Sequence, residues 1–370
     1  FNPNIASDLK KERDKKHAKN LALIHSHSSK ERWTSGNKQI DMVIKASRGE
    51  WKWIEPIQLT NITHLADGGL STVYTATWHD NDCKDKEAKT VALKTINFTN
   101  NNASKALNEM ANLSKFNFVN YTHGITKHLD SYAIVMNYFP GGDLRKFLQR
   151  NKNLSWDLRF EFLYRLLAQL SSLHSRGIIH GDLHSGNILI NDVNTPFISD
   201  LGLSSVIMHK NATGDEVYGC IPYMAPELFV GKPHSPASDM YAMGIIMWEI
   251  SAGALPFCDR NHNAFLIYDI CKGLRPPTIE GTPECWIEVM ERCWANNPML
   301  RPDSFNLYTE VAELKGKPDV KKKLEEADEF QKEHPSSQGN GSHSITEYVN
   351  SFISCITEDE LLDINYTIEN

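Results

Sequence analysis

Short runs in which apolar and polar positions alternate dominate residues 51–139. Four of these runs are rich in β-branched and aromatic residues: NITHL (61–65), STVYTATW (71–78), TVALKTI (90–96) and SYAIVMNYF (131–139). Runs of this kind, separated by turn residues, predict the strands of an antiparallel sheet. Between the third and fourth runs, Ala106, Leu107, Met110 and Leu113 recur at helical spacing and predict a helix over residues 103–115.

The pattern becomes helical after Gly142. Residues 158–174 place leucine and phenylalanine side chains along one face of a long helix, and Gly177 follows where a helix end is expected. Residues 238–252 are apolar nearly all round, which predicts a helix buried in the centre of this part of the chain. The sequence therefore predicts a small β-rich lobe followed by a larger helical lobe.

The two ends of the chain have a different composition. Residues 1–50 are polar and rich in lysine and serine, with helical stretches and little core-forming material. After about Pro318 the chain is charged, then passes through a Gly/Ser linker (HPSSQGNGSHS) into an acidic tail. We therefore divide it into an N-terminal extension that is partly helical or disordered (1–50), a first lobe (51–139), a second lobe (140–313), and a C-terminal helix, linker and acidic tail (314–370).

Composition and charge indicate a globular protein in a reducing compartment. Of the 370 residues 41% are apolar and 23% charged, which is enough for a full hydrophobic core. The formal net charge of −7 argues against a nucleic-acid or anionic-membrane partner. The seven cysteines form no CxxC pair and favour a reducing compartment. There is no apolar run of about 18 residues and no secretory signal after Phe1, so we expect a cytoplasmic protein without a membrane span.

The stretch HGDLHSGNIL, residues 180–189, concentrates polar chemistry just before an apolar run. Phosphoryl transfer needs a cation on the phosphates, hard oxygen ligands for Mg²⁺ and a base for the acceptor hydroxyl. The chain offers such groups in order: Lys94 in VALK, Glu109 in the predicted helix, Asp182 and Asn187 in this stretch, and Asp200 in ISDLG. Each one alone has a commoner structural role, such as a capping aspartate or a surface lysine; the ordered set favours a catalytic one.

The order and spacing of these motifs over residues 59–313 resemble a eukaryotic protein kinase domain. The resemblance implies an α+β, two-lobed fold: an N-lobe with a five-stranded antiparallel sheet plus one helix, and a mainly α-helical C-lobe. It also implies ATP and Mg²⁺ as cofactors and proteins as substrates. Lys94 would contact the α- and β-phosphates and pair with Glu109, Asp182 would take the proton of the acceptor hydroxyl, and Asn187 and Asp200 would hold Mg²⁺.

The nucleotide site is placed by the same resemblance. The family's glycine-rich pattern GxGxxGxV falls on ADGGLSTV, which puts Ala66, Gly68, Ser71 and Val73 at the pattern positions and Gly69 beside them. Gly68 alone keeps a glycine at its register, and this departure bears on ATP affinity. The adenine pocket would be lined by Val73, Ala92 and Leu189, closed at the back by Met136, and bonded through the backbone of Asn137 and Phe139.

The HGDLHxGN loop also resembles that of aminoglycoside and choline phosphotransferases, which are therefore the competing family. The downstream chain favours a protein kinase: Glu227 in YMAPE would form a salt bridge with Arg301, and Asp239 would anchor the catalytic loop from the buried helix. The spacing of residues in ERCWANNPMLRP resembles the tyrosine-kinase-like group. The sequence LHSGNIL resembles the lineage-expanded fungal kinases of this group. A pseudokinase scaffold that binds nucleotide weakly remains the alternative from another class.

Three departures from the family pattern bear on regulation and substrate. Gly181 stands where relatives carry an arginine that binds a phosphorylated activation loop, so we expect activity to depend less on such phosphorylation. His184 replaces a lysine and either contacts phosphate or faces solvent, and Cys220 replaces a threonine. The group implies a Ser/Thr preference in intracellular signalling. His180 is expected to be a packed residue, with Leu201 and Leu113, and the tails are candidate contacts for signalling partners.

Overall fold

The computed structural model describes residues 34–46, 51–67, 71–80, 88–96, 122–200 and 219–334. Several sequence-based expectations lie outside these ranges. They are the helix at 103–115 with Glu109, the loop glycines Gly68 and Gly69, residues 201–218, and the linker and acidic tail.

Among the described residues, six strands form one sheet in the order β1-β5-β6-β4-β3-β2. The strands are β1 Lys52–Trp53, β2 Leu59–Asp67, β3 Thr72–His79, β4 Ala88–Ile96, β5 Thr122–His128 and β6 Ser131–Asn137. The pairs β2–β3, β3–β4, β4–β6 and β5–β6 are antiparallel, which confirms the five expected strands. Their alternating β-branched and aromatic residues suit a half-buried pleated surface.

The sixth strand, β1, was not expected and runs parallel to β5. It pairs Lys52 with Gly124 and Trp53 with Ile125. A Cβ atom on Gly124 would lie 1.9 Å from the carbonyl oxygen of Lys52, so only glycine lets the two backbones approach this closely. A two-residue strand is also too short to leave a readable alternation in the sequence.

Helix α1, Lys38–Ala46, precedes the sheet and packs on it. Ile40 and Ile44 are buried in a cluster with Trp51, Ile125 and Ile134. Little core-forming material was expected before residue 50; that expectation was wrong here, because these two isoleucines are core residues. Four positions apart in a nine-residue helix, they share one face but form too short a pattern to stand out.

The second lobe is mainly helical, as expected. Its helices are α2 Leu144–Arg150, α3 Trp156–Ser175, α4 Pro226–Phe229, α5 Pro236–Ala252, α6 Ala264–Cys271, α7 Glu284–Cys293, α8 Ser304–Gly316 and α9 Pro318–Glu333. Helix α5 is buried on all sides, from Ser238 to Ala252. Ser235 caps its start, and Gly253, with φ of +63°, ends it in the left-handed conformation that glycine adopts most readily.

A small antiparallel sheet carries the HGDLHSGNIL stretch: β7 Gly142–Asp143, β8 Ile188–Ile190 and β9 Pro196–Ile198. A short 3₁₀ turn, Ser185–Asn187, leads directly into β8, and Asp200 comes two residues after β9. Because β8 and β9 are antiparallel, with Ile188 opposite Ile198, the polar residues before β8 and after β9 lie together at the open end of the hairpin. This hairpin therefore positions the candidate site.

Helix α9 is the described part of the predicted C-terminal region. Its Asp328 carboxylate accepts a hydrogen bond from the backbone nitrogen of Trp156 at 2.8 Å, and Val320 and Leu324 are buried. The helix thus packs on α3, while the boundaries assigned to the four segments remain predictions. In the described parts of the chain, every helix is too short or too polar to cross a membrane.

Candidate active site

The loop before Asp182 is anchored from inside the helical lobe. The Asp239 carboxylate, in the first turn of α5, accepts hydrogen bonds from the backbone nitrogens of His180 at 2.8 Å and Gly181 at 2.9 Å. Asp239 itself is only 2% exposed, so these charge-assisted bonds are shielded from water. They confirm the expected anchor.

Two histidines complete this support. His174 bridges the Asp239 carboxylate, at 2.9 Å from Nε2, and the Ser304 hydroxyl, at 2.8 Å from Nδ1. The His180 ring is fully buried, and its Nε2 lies 2.9 Å from the carbonyl oxygen of Ser199. The prediction of a packed His180 is confirmed; its expected neighbours Leu201 and Leu113 lie outside the described residues.

Asp182 and Asn187 face each other across the loop. The Asn187 amide donates to the Asp182 carbonyl oxygen at 2.9 Å and approaches the Oδ2 atom at 3.4 Å. Burial, together with the negative charge of Asp200, raises the pKa of Asp182 to about 6, against the partial opposition of His180 and Asn187. A carboxylate in this environment is a better proton acceptor than one in water.

Lys94 and Asp200 form an ion pair close to Asp182 and Asn187. Lys94 lies within β4, opposite Val73 and Ile134, and its Nζ is 3.0 Å from Asp200 Oδ1. Asp200 has φ of +59°, unusual for a residue other than glycine. The preceding Ser199 donates to the Asn187 carbonyl oxygen from both its backbone nitrogen, at 2.8 Å, and its hydroxyl, at 3.0 Å. The structure thus brings Lys94, Asp182, Asn187 and Asp200 together.

The donor set at Asn187 and Asp200 fits a magnesium ion. The Asn187 amide nitrogen is turned toward Asp182, which directs its carbonyl oxygen away from that bond. This oxygen and the Asp200 carboxylate are hard ligands of the kind that Mg²⁺ shares with substrate phosphates. A magnesium ion held by these two oxygens would neutralise the negative charge of Asp200 and of the substrate phosphates.

The residues expected around adenine lie on neighbouring strands. Ala92 on β4 pairs with Met136 on β6, Val73 lies on β3 opposite Ala66, and Leu189 belongs to β8. Ser71 precedes β3. Phe139 is 9% exposed and its ring contacts Phe197, while the Asn137 side chain bonds to His123 and Lys89. These positions are consistent with the expected pocket, and the role of each residue stays a prediction.

A buried polar network joins the loop to helix α5 and was not predicted from the sequence. Ser185 Oγ lies 3.2 Å from the Tyr223 hydroxyl, which donates to Glu249 Oε2 at 2.6 Å. Glu249 is 1% exposed, and burial raises its pKa to about 7. The available signal was Glu249 in the largely apolar helix α5, because a glutamate is buried only with partners.

The YMAPE segment, residues 223–227, is held by a buried ion pair between Glu227 and Arg301. Arg301 donates to both oxygens of Glu227, at 2.7 and 2.8 Å, and also to the carbonyl oxygens of Ala237, Ala295 and Asn296. This bidentate geometry confirms the expected salt bridge. Cys220 is buried beside this segment, and burial raises the pKa of its thiol to about 12.

Comparison with known sequences decides the family. The sequence profile described as "Protein tyrosine and serine/threonine kinase" matches residues 59–311, more than half of the chain. The chain belongs to this protein kinase family. Membership separates the kinase domain from the aminoglycoside and choline phosphotransferases that share the loop motif.

The kinase domain is similar to several curated proteins. Serine/threonine/tyrosine-protein kinase HT1 of Arabidopsis thaliana is 34% identical over 183 residues, which cover 48% of this chain and 45% of HT1. Dual specificity protein kinase splA of Dictyostelium discoideum is 31% identical over 203 residues, or 50% of this chain and 8% of splA. Serine/threonine-protein kinase STY46 of Arabidopsis thaliana is 28% identical over 228 residues, or 61% and 38%. The matched regions thus span less than half the length of each relative, and these names give the pseudokinase alternative no support.

Proposed function

We propose that this kinase domain transfers the γ-phosphoryl group of ATP to hydroxyl groups of proteins, with a preference for serine and threonine, in intracellular signalling. The observation that carries the proposal is that the Lys94–Asp200 ion pair and the Asp182–Asn187 pair lie together at the open end of the β8–β9 hairpin. A cation, a base and two oxygen ligands in one place are what phosphoryl transfer needs.

Each side chain has a role in this proposal. Lys94 binds the α- and β-phosphates and, in the closed site, pairs with Glu109. Asp182 orients the acceptor hydroxyl and takes its proton, which its raised pKa favours. Asn187 and Asp200 hold Mg²⁺, whose contribution is to neutralise charge on the phosphates. Val73, Ala92, Met136 and Leu189 enclose the adenine, and the loop with Ala66, Gly68, Gly69 and Ser71 covers the phosphates.

The substrate class rests on kinship as well as on the site. The names of HT1, splA and STY46 include serine/threonine, serine/threonine/tyrosine and dual-specificity kinases. His184 and Cys220 depart from the serine/threonine pattern. Phosphoamino-acid analysis of the product therefore has to distinguish phosphoserine and phosphothreonine from phosphotyrosine. The cytoplasmic setting is supported by free thiols at the described cysteines Cys220, Cys258, Cys271, Cys285 and Cys293.

The test is transfer of labelled γ-phosphate from Mg-ATP to the chain itself and to a generic protein substrate, beside Asp182→Asn and Lys94→Met. An active kinase of this type turns over at roughly 1–100 s⁻¹. Loss of the base in Asp182→Asn should lower kcat by about 10²–10⁴-fold. Transfer that persists undiminished in Asp182→Asn would reject this assignment, as would nucleotide binding by the wild type without any transfer.

A further inference from the structure

His184 is the second residue after Asp182, and its ring is held in one protonation state by geometry. Its Nδ1 accepts a hydrogen bond from the backbone nitrogen of Gly186 at 3.1 Å. A ring nitrogen that accepts a hydrogen bond carries no proton, so the imidazole is neutral and its single N–H is at Nε2. The same bond caps the 3₁₀ turn Ser185–Asn187. His184 therefore carries no positive charge, unlike the lysine that it replaces.

The remaining N–H of His184 is buried without a hydrogen-bond acceptor among the described residues. The residue is 8% exposed, which rules out the expectation that it faces solvent. A buried donor left without an acceptor costs about 1–3 kcal/mol, so a donor kept in this position calls for an explanation.

The nearest carboxylate to that N–H belongs to the proposed base. His184 Nε2 lies 3.8 Å from Asp182 Oδ2, within about 1 Å of hydrogen-bond length. The same Oδ2 atom is already approached by the Asn187 amide at 3.4 Å. Two donors on Oδ2 would leave Oδ1 as the oxygen presented to an acceptor hydroxyl.

The ring is also fixed in direction. A Cβ atom on Gly186 would lie 2.8 Å from His184 Cε1, which shows how closely this backbone covers the ring. On another side the Tyr223 ring lies 5.9 Å away, centroid to centroid. Burial and the charge of Arg145 lower the pKa of His184 to about 4, in keeping with the neutral ring that the hydrogen bond requires. The donor therefore has little freedom to turn toward another acceptor.

We propose that His184 is a positioning residue whose neutral Nε2–H donates to Asp182 Oδ2 in the substrate complex, so that Oδ1 is directed at the acceptor hydroxyl. The inference rests on the proposed function, since it assigns how the base of that reaction is oriented. It differs from phosphate binding by a substitute for lysine, because a neutral ring supplies one donor and no charge.

Two substitutions separate this role from capping of the 3₁₀ turn. In His184→Asn, the amide oxygen can take the place of Nδ1 and accept from Gly186, but no donor reaches Asp182. In His184→Gln, the longer amide reaches the position of Nε2 and can donate, while the capping geometry is lost. The measurements are kcat, the KM for ATP and for peptide, and the thermal unfolding midpoint of each purified chain.

We expect His184→Asn to lower kcat roughly 10–100-fold, the worth of a hydrogen bond to a charged acceptor, with both KM values and the unfolding midpoint close to wild type. His184→Gln should retain most of kcat and unfold at a lower temperature. Wild-type kcat in His184→Asn would overturn the proposal, and so would a loss of kcat that follows the loss of stability in both variants.

A spectroscopic measurement keeps this inference separate from the proposed function. Nitrogen-15 NMR of the histidine-labelled chain at neutral pH should show His184 with a proton on Nε2 and none on Nδ1, assigned by comparison with His184→Asn. A proton on Nδ1 would exclude the role whether or not the chain is active. If the wild type transfers no phosphate but shows this tautomer, the proposed function fails while the assigned donor stands.

Discussion

The carboxylate of Asp239 lies 2.8 Å from the backbone nitrogen of His180, and this bond joins the buried helix α5 to the loop that carries Asp182. A second bond, to the nitrogen of Gly181, fixes the plane of the His180–Gly181 peptide, which is one peptide away from the base. Because α5 is buried on all sides, the position of the base is set by the core of the helical lobe rather than by the loop itself.

The first prediction tests that anchor. In Asp239→Asn one carboxylate oxygen becomes an NH₂ group that cannot accept from a backbone N–H. We expect a loss of about 1–3 kcal/mol in the free energy of unfolding, together with a lower kcat because the loop is released. Urea unfolding and steady-state kinetics measure the two effects.

Asp303→Asn is the matched control for the anchor. Asp303 also accepts two backbone N–H groups, from Phe305 at 3.1 Å and Asn306 at 2.9 Å, but at an exposed helix start. Asparagine is as good a cap as aspartate there, so activity and stability should hardly change. Equal losses in the two variants would mean that Asp239 has no special connection to the loop.

A second prediction contrasts two arginines in ion pairs. Removing Arg301 leaves the Glu227 carboxylate buried without its bidentate partner, and Arg301→Ala should cost about 3–5 kcal/mol of unfolding free energy. Arg260 pairs with Asp269 at 2.8 Å, but both side chains are about 40% exposed. Arg260→Ala should therefore cost about 0–1 kcal/mol. Similar urea midpoints for the two variants would contradict the importance assigned to burial.

The third prediction concerns Gly181. Its φ is +78°, so the glycine fits a left-handed backbone as well as lacking the side chain that would bind a phosphorylated loop. Acidic substitutions at Ser204, Ser205, Thr213 or Tyr218 should leave kcat within about threefold of wild type, because no arginine precedes Asp182 to bind the added charge. A large gain from any one of them, measured with the same peptide substrate, would refute the hypothesis.

Much of the site could be predicted because its parts lie close along the chain. Asp182 and Asn187 are five residues apart on one turn, and the apolar run after them marks the strand that holds it. The ion pair between Lys94 and Asp200, 106 positions apart, is not encoded in local spacing; the resemblance predicted both as site residues but not their contact with each other.

The rest depended on contacts that spacing does not encode. The burial of His184 needs Gly186 beside the ring and Tyr223 from a segment almost 40 residues on. Strand β1 needs the bare backbone of Gly124, and the core role of Ile40 and Ile44 needs the sheet against which they pack. In each case at least one partner is distant in sequence, so the neighbouring sequence does not show that the residue is buried.

The fourth prediction is a pH dependence of stability that arises from Glu249. Burial raises its pKa from 4.5 to about 7 in the folded chain, so the folded state binds this proton more tightly than the unfolded state does. The resulting stabilisation is fully present below about pH 4.5 and is lost as the pH rises through 7. A shift of this size corresponds to at most about 3–4 kcal/mol.

Glu249→Gln removes the titration while its amide oxygen can still accept from the Tyr223 hydroxyl, which now bonds Glu249 at 2.6 Å. The free energy of unfolding, measured with urea at several pH values from 5 to 8, should fall less steeply with pH in this variant than in the wild type. Tyr223→Phe takes away a donor that lowers the pKa of Glu249, and should therefore move the loss to higher pH. Parallel curves for wild type and Glu249→Gln would show that Glu249 is ionised throughout this range, with Arg145 supplying the compensating charge.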